Sequence, residues 1–212
     1  TELTRLRARE GSTVYVGWDN TARAAFTVTD TVRPTSSAAI ERLAALGLTA
    51  YLLTGDEERT AHAVADRVGI PRERVYAGIR PDGKHAVVTA LQQAGRTVAV
   101  VGDGVNDAPA LAAADLGIAM GSGTAVAADS ADIVLMRADL GAAADAVALS
   151  RKTLRVIKQN LAWAFGYNLL ALPVAMLGLL NPMIAGAAMA FSSVFVVTNS
   201  LRLRTMPLSD GA

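Results

Sequence analysis

Two long stretches without a single charged side chain constrain this chain more than anything else in it. Leu161 to Leu180 is one, of 20 residues, and Met183 to Leu201 is the other, of 19. As a helix, each is long enough to cross the ~30 Å hydrocarbon core of a bilayer. Asn181-Pro182 between them is a turn signal. Basic residues flank the outer ends: Arg151, Lys152, Arg155 and Lys158 before, Arg202 and Arg204 after. The pattern predicts a membrane hairpin with both outer ends cytoplasmic and the turn outside. A buried helical hairpin of a soluble protein is the competing reading, and uncharged runs with basic flanks weigh against it. The overall composition agrees with a membrane segment: 52 % hydrophobic residues, 18 % charged and a mean hydropathy of +0.34.

The remaining three quarters read as a different kind of structure. Ser12 to Trp18 and Arg23 to Thr29 predict two strands around an Asp19-Asn20 turn, preceded by ten highly charged residues. Pro34 to Leu46 predicts a helix with Ile40, Leu43 and Leu46 on one face and Gly47 as its stop. A strand over Leu48 to Leu53, a helix over Glu57 to Val68 closed by Gly69, a short strand at Val75 to Ala77 and a helix over Lys84 to Ala94 follow. Further strands are expected at Thr97 to Val101, Leu116 to Met120 and Asp132 to Met136, with short helices at Ala108 to Ala114 and around Ala125. Strands alternating with helices of this length mean an α/β domain with a parallel sheet. A long amphipathic helix, Asp139 to Gln159, leads into the uncharged runs.

Ligands of a doubly wound sheet collect at the carboxyl ends of its strands. Three segments deliver polar groups there. Gly102-Asp103-Gly104-Val105-Asn106-Asp107 clusters hard oxygen ligands, suited to Mg²⁺ and through it to a phosphoryl group. Simple capping by Asp107 would explain one acid of the three polar groups. Thr54-Gly55-Asp56 offers a hydroxyl and a backbone N–H for phosphate oxygens, with Asp56 able to cap the next helix. Lys84 sits at a helix start, where a cation is disfavoured by the dipole unless an anion lies beside it, and a solvated surface Lys is the plainer reading of that residue taken singly. His62 and His85 are far apart and read as solvent-facing, Gly121-Ser-Gly-Thr124 reads as a turn, and Asn199 as a cap of the last helix. A net charge of +1 gives no reason to invoke nucleic acid. With no Cys, disulfides and thiolate ligands are excluded within the chain.

Gly102-Asp-Gly-Val-Asn-Asp-Ala-Pro109 resembles the hinge motif of P-type ATPases, whose phosphorylation domain has a haloacid-dehalogenase-like fold. The resemblance implies that Thr54 and Lys84 hold the phosphoryl group of ATP, that Asp103 binds Mg²⁺, and that Asn106 and Asp107 orient the site. Asp30-Thr-Val-Arg33-Pro34 is similar to the segment returning from the nucleotide-binding domain, with an Asp-Arg pair bracing it. The implied order is entry hairpin and return over 1–29, the C-terminal half of the phosphorylation domain over 30–145, linker helix 146–160, two membrane helices 161–201 and tail 202–212. The family's phosphorylated Asp, in Asp-Lys-Thr-Gly-Thr, does not occur here. With Thr1 in place of Met and no signal peptide, a fragment or processed piece is expected, inactive by itself.

Tyr167-Asn168 in the first uncharged run, with Met189 and Ser193 four residues apart in the second, resembles the copper-transporting subclass. Met is a soft ligand suited to Cu(I). Helix packing by Asn and Ser is the plainer reading of those residues. The resemblance thus implies the tail of an ATP-driven copper(I) exporter in a bacterial plasma membrane. Its partners would be the other pump domains, lipid and a copper chaperone, with no nucleic acid. A catalytically dead, membrane-anchored regulatory module is the rival, since such a module needs no nucleophile.

Overall fold

The computed structural model describes residues 12–19, 21–28, 31–121, 123–179 and 181–205. The chain divides into two compact units at Ala144/Asp145.

The first unit opens with β1 (Ser12–Trp18) and β2 (Thr21–Val28), an antiparallel ribbon. The register shifts between Val16 and Gly17, where a side chain on Gly17 would run into the Thr21 carbonyl. The Arg23 guanidinium lies 5.5 Å over the Trp18 ring. The first ten residues, five of them charged, Asn20, and the Asp30 half of the expected Asp30–Arg33 pair lie outside the described residues. Arg33 donates to the carbonyl of Ala138.

An α/β succession follows. Helix α1 (Ser36–Ala45) leads to β3 (Leu52–Leu53), and α2 (Glu58–Val68) passes through a short turn to β4 (Val75–Tyr76). Strands β3 and β4 pair in parallel. The apolar run from Leu48 thus forms a much shorter strand than its sequence suggests, because only Leu52 and Leu53 find partners, in Val75 and Tyr76. Ala65, Val68 and Ile70 are buried between these elements, with Val32, Ile40, Ala50, Leu52 and Val75 packed on them. Gly69 closes α2 with φ +77°, a left-handed conformation that favours Gly.

Helix α3 (Pro81–Gln93) then leads to β5 (Ala99–Gly102), a 3₁₀ turn (Val105–Asp107) and α4 (Ala108–Ala113). Helix α3 starts three residues before the expected Lys84, with Pro81 at a position where its missing N–H costs nothing. Strand β6 (Leu116–Ala119), α5 (Ala125–Asp129) and β7 (Ile133–Val134) complete the unit. Strands β5, β6 and β7 form a parallel sheet in that order. Leu111, Ala119 and Ala127 are buried under it, against Val100 and Ala131. Two acids staple the strand entries: Asp115 accepts from the Val98 N–H at 2.8 Å and Asp132 from the Gly117 N–H at 2.7 Å. The α/β reading of the sequence holds.

Helix α6 (Leu140–Met176) carries the expected amphipathic helix directly on into the first uncharged run. Pro173 falls in its last turns, and Gly178 follows at φ +69°. Helix α7 (Pro182–Leu201) starts with the Asn181 side chain accepting from the Met183 N–H. Among the described residues no helix is long and apolar enough to cross a membrane. In α6 the apolar residues are interspersed with Gln159, Asn160, Tyr167 and Asn168, which lower the mean hydropathy of its second half.

Within the second unit the two helices meet at a polar clamp. Asn199, buried, donates to Asn160 Oδ1 at 2.9 Å and Gln159 Oε1 at 3.3 Å, and Asn160 donates to Ser200 Oγ at 3.1 Å. Asn199 therefore joins helices and does not cap one, because its amide faces the partner helix. Trp163 packs on Phe195, ring centres 5.0 Å apart, and edge-on to Phe191.

Candidate functional site

Two loops at strand ends carry the polar residues singled out above. The first follows β3. Thr54 is fixed on both sides by backbone bonds: its N–H donates to the Tyr76 carbonyl and its carbonyl accepts from Ile79 N–H, each at 3.0 Å. The Gly78 N–H donates to the Asp56 carbonyl at 2.7 Å. The Thr54 hydroxyl donates to Asp56 Oδ2 at 2.7 Å and accepts from the Asp56 N–H at 3.1 Å. Asp56 therefore does not cap α2. Glu57 occupies that position without a side-chain bond, while the Asp56 carboxylate turns back onto Thr54. Gly55 lies between them, exposed, with ordinary room around it.

The second loop follows β5. Gly102 is buried, and a side chain there would strike the Asp107 side chain at 2.7 Å. That close approach lets the Asp107 carboxylate fold back over the turn. Its Oδ2 accepts from the N–H groups of Asp103 and Gly104, both at 3.4 Å, and its Oδ1 accepts from the Lys84 ammonium at 2.6 Å. Lys84 and Asp107 are both largely shielded, with side-chain exposures of 17 % and 18 %. The anion that the Lys84 position called for is thus Asp107, 23 residues further on. In a chain with only three lysines among 20 basic residues, that pairing uses the compact, freely rotating donor instead of a planar guanidinium.

Asp103 and Asn106 differ from Asp107. Both are exposed, and neither side chain makes a hydrogen bond or ion pair among the described residues. One carboxylate and one amide oxygen are left pointing off a loop whose backbone Asp107 has locked. No group of three His, Cys, Asp or Glu gathers among the described residues. A Mg²⁺ ion does not require one, since it keeps several waters and takes one or two carboxylates together with phosphate oxygens. The donor set therefore fits Mg²⁺ with Asp103 as ligand and Asn106 beside it.

The sequence missed what holds Asp103 from behind. The Thr124 N–H donates to the Asp103 carbonyl at 2.9 Å, and the Met120 N–H to the Gly102 carbonyl at 2.9 Å. Gly123 is so close that a Cβ would lie 2.8 Å from the carbonyls of both Asp103 and Met120. The Gly-Ser-Gly-Thr segment is a backing loop for the acidic loop, not a free turn. Its small residues were the available signal.

The residues expected to contact a transported metal are not brought into one bonded group. The Asn168 amide donates to the Ala164 carbonyl at 2.7 Å and the Ser193 hydroxyl to the Met189 carbonyl at 3.1 Å, each within its own helix. Met189 is 62 % exposed and Tyr167 half-buried.

Residues 2–115 match the haloacid dehalogenase-like hydrolase family. A Mycobacterium tuberculosis protein named "Probable copper-exporting P-type ATPase V" is 55 % identical over 196 residues, 92 % of this chain and 25 % of its own length. The copper-exporting P-type ATPase of Bacillus subtilis is 50 % identical over 203 residues, 96 % of this chain and 25 % of its own. The crystal structure of a zinc-transporting PIB-type ATPase in an E2.Pi state superposes with a TM-score of 0.81 at 37 % identity, over 95 % of this chain and 33 % of that one. The chain thus spans about a quarter of the length of the curated relatives it matches. It belongs to the haloacid dehalogenase-like hydrolase family, and the relatives it matches are metal-transporting P-type ATPases.

Proposed function

We propose that this chain supplies the phosphoryl-stabilising side of the catalytic site and two membrane helices of an ATP-driven copper(I)-exporting P-type ATPase. The observation that carries the reading is the division of labour in the Asp103–Asp107 loop. Asp107 is spent on Lys84 and on two backbone amides, while Asp103 and Asn106 keep their oxygens free. Phosphoryl transfer asks for fixed positive charge and in-line positioning in place of covalent work by the protein. Asp103, beside Asn106, would hold Mg²⁺, which when bound neutralises charge on the transferring phosphoryl group. Lys84 is paired with Asp107 of that loop, and Thr54 is held by two backbone bonds at the end of β3. Asp107 acts through Lys84 and the loop backbone as a positioning residue. Gly55 keeps the Thr54–Asp56 turn open to an approaching anion.

In this reading residues 161–201 are the membrane hairpin, in a bacterial plasma membrane with both outer ends cytoplasmic. Support comes from the uncharged runs and from the surface of the second unit, where Phe165, Leu169, Leu170, Met176, Phe191 and Val194 are each more than 60 % exposed. A soluble protein rarely leaves that much apolar side chain uncovered. Met189, Ser193, Tyr167 and Asn168 would contribute to the Cu(I) path once the remaining helices complete the bundle. The copper-exporting names of relatives at 50 and 55 % identity favour Cu(I) over zinc. The partners are the nucleotide-binding and actuator domains, the other membrane helices, lipid and a copper chaperone.

The test is Asp103→Asn in the complete pump. Phosphorylation by ATP should be abolished while Cu(I) binding stays near wild type. Normal phosphorylation of that variant would sink the Mg²⁺ assignment.

A further inference from the structure

Between its terminal acids, Asp145 and Asp210, the second unit carries charge of one sign only. Between Asp145 and Asp210 there is no acidic residue, while Arg151, Lys152, Arg155, Lys158, Arg202 and Arg204 all fall there. Arg155 and Lys158 lie three residues apart on α6, so they share one helical face. Like charges at that spacing repel one another. Arg155 and Lys158 are exposed and make no ion pair among the described residues.

Arg151, Leu154, Arg155, Lys158, Gln159 and Ala162 line one open stretch of the α6 surface. At Gln159 and Ala162 it meets a shallow groove between α6 and α7, lined also by Trp163, Phe195, Asn199 and Arg202. Its character changes along its length, cationic at one end and aromatic where Trp163 packs on Phe195. The floor is already satisfied, because Asn199 spends its amide on Gln159 and Asn160. Arg202 reaches Asn199 Oδ1 through one nitrogen, at 3.5 Å, which leaves other donors of its guanidinium for a guest.

We propose that this depression binds an anionic phospholipid, with the headgroup phosphate at Arg155, Lys158 and Arg202 and an acyl chain along Ala162, Trp163 and Phe195. The proposal rests on the membrane reading of residues 161–201. The graded lining selects the ligand: a free anion has no use for the aromatic end, and an uncharged lipid none for the cationic one. A zwitterionic headgroup brings its own cation and gains less. Trp and basic side chains at the junction of apolar and charged surface are suited to the headgroup level of a bilayer.

The experiment uses the complete pump and a Lys158→Gln/Arg202→Gln variant, each purified with equimolar phosphatidylglycerol and phosphatidylcholine and read by native mass spectrometry for retained lipid. Wild type should retain phosphatidylglycerol preferentially. With roughly a fivefold effect per cation near the surface, the double variant should lose roughly twenty-fivefold of that preference. Lys158→Arg should keep it. Equal preference in wild type and double variant would overturn the site, as would displacement of the lipid by millimolar inorganic phosphate. Arg155→Gln, a substitution on an exposed helix face, gives the same reading if the double variant folds poorly. Labelling of Leu169→Cys by a membrane-impermeant thiol reagent, measured over the unsubstituted pump, separates the two readings. Labelling would defeat the membrane reading and the site together. Protection without lipid preference would defeat the site alone.

Discussion

A single methyl group at position 123 tests the claim that the loop behind Asp103 sets the metal position. In Gly123→Ala the new carbon would lie 2.8 Å from the carbonyl oxygens of Asp103 and Met120 and 3.2 Å from Asp103 Cα. All three are backbone atoms, so no side chain can swing aside. Reaching an ordinary contact of 3.4 Å requires the Asp103 and Met120 segments to part by several tenths of an ångström. The Thr124 N–H bond to the Asp103 carbonyl, 2.9 Å, is the first to stretch. Overpacking of this kind costs about 2 kcal/mol in stability. The effect on function should be more specific, because Mg²⁺ tolerates little departure from octahedral geometry. A misplacement of about half an ångström near a reacting centre is worth roughly tenfold.

The assay is phosphoenzyme formation by the complete pump as Mg²⁺ is titrated. The half-saturating Mg²⁺ concentration should rise roughly tenfold in Gly123→Ala. Thr124→Ala is the control. It removes the hydroxyl that accepts from Ala127 N–H at 3.3 Å, a cap worth about 1 kcal/mol, but leaves the backbone N–H that holds Asp103. Its Mg²⁺ dependence should match wild type. Unchanged half-saturation in Gly123→Ala, or an equal shift in both variants, would refute the backing role.

Two further outcomes follow from the same contacts. The Val98 N–H, helped by Gln92, holds the Asp115 carboxyl below its ordinary value of 3.8. A carboxylate lowered in the folded state contributes stability above its unfolded value and loses it as pH falls toward the folded one. Asp115→Asn should therefore flatten the fall in urea midpoint below about pH 3.8, and an unchanged acid limb would count against the staple. Asn199→Ala should weaken the α6–α7 clamp by about 1 kcal/mol in thermal unfolding of the detergent-solubilised protein. Combined with Asn160→Ala it should cost clearly less than the two single effects together, whereas additivity would mean the amides are not coupled.

The sequence was most legible where a residue's role is decided by its chain neighbours. The Gly after α2 had to end that helix, because no L side chain takes φ +77° without strain. Alternating strands and helices fixed the α/β class, and the strand ends fixed where the polar loops would lie. Even Lys84 could be read, since a cation in the first turn of a helix demands an anion. What that local rule could not supply was which anion. Asp107 lies 23 residues away, and the bond exists because Gly102 leaves room for its carboxylate to fold back.

Where roles are set across longer separations, local rules gave the wrong answer. Asp56 has the composition of a helix cap, yet the Thr54 hydroxyl two residues before it is nearer than the helix amides and takes its carboxylate. Asn199 also has the composition of a cap, but a buried amide in α7 is satisfied by Asn160 and Gln159, 39 and 40 residues earlier. Gly123 shows why this matters for function. A Gly-x-Gly read locally is a turn, and only contact with Asp103 and Met120 turns its missing side chain into a requirement. A sequence that placed Ala there would keep every motif by which the acidic loop is recognised. It would lose the close backbone contact behind Asp103, and motif inspection alone would not distinguish the two.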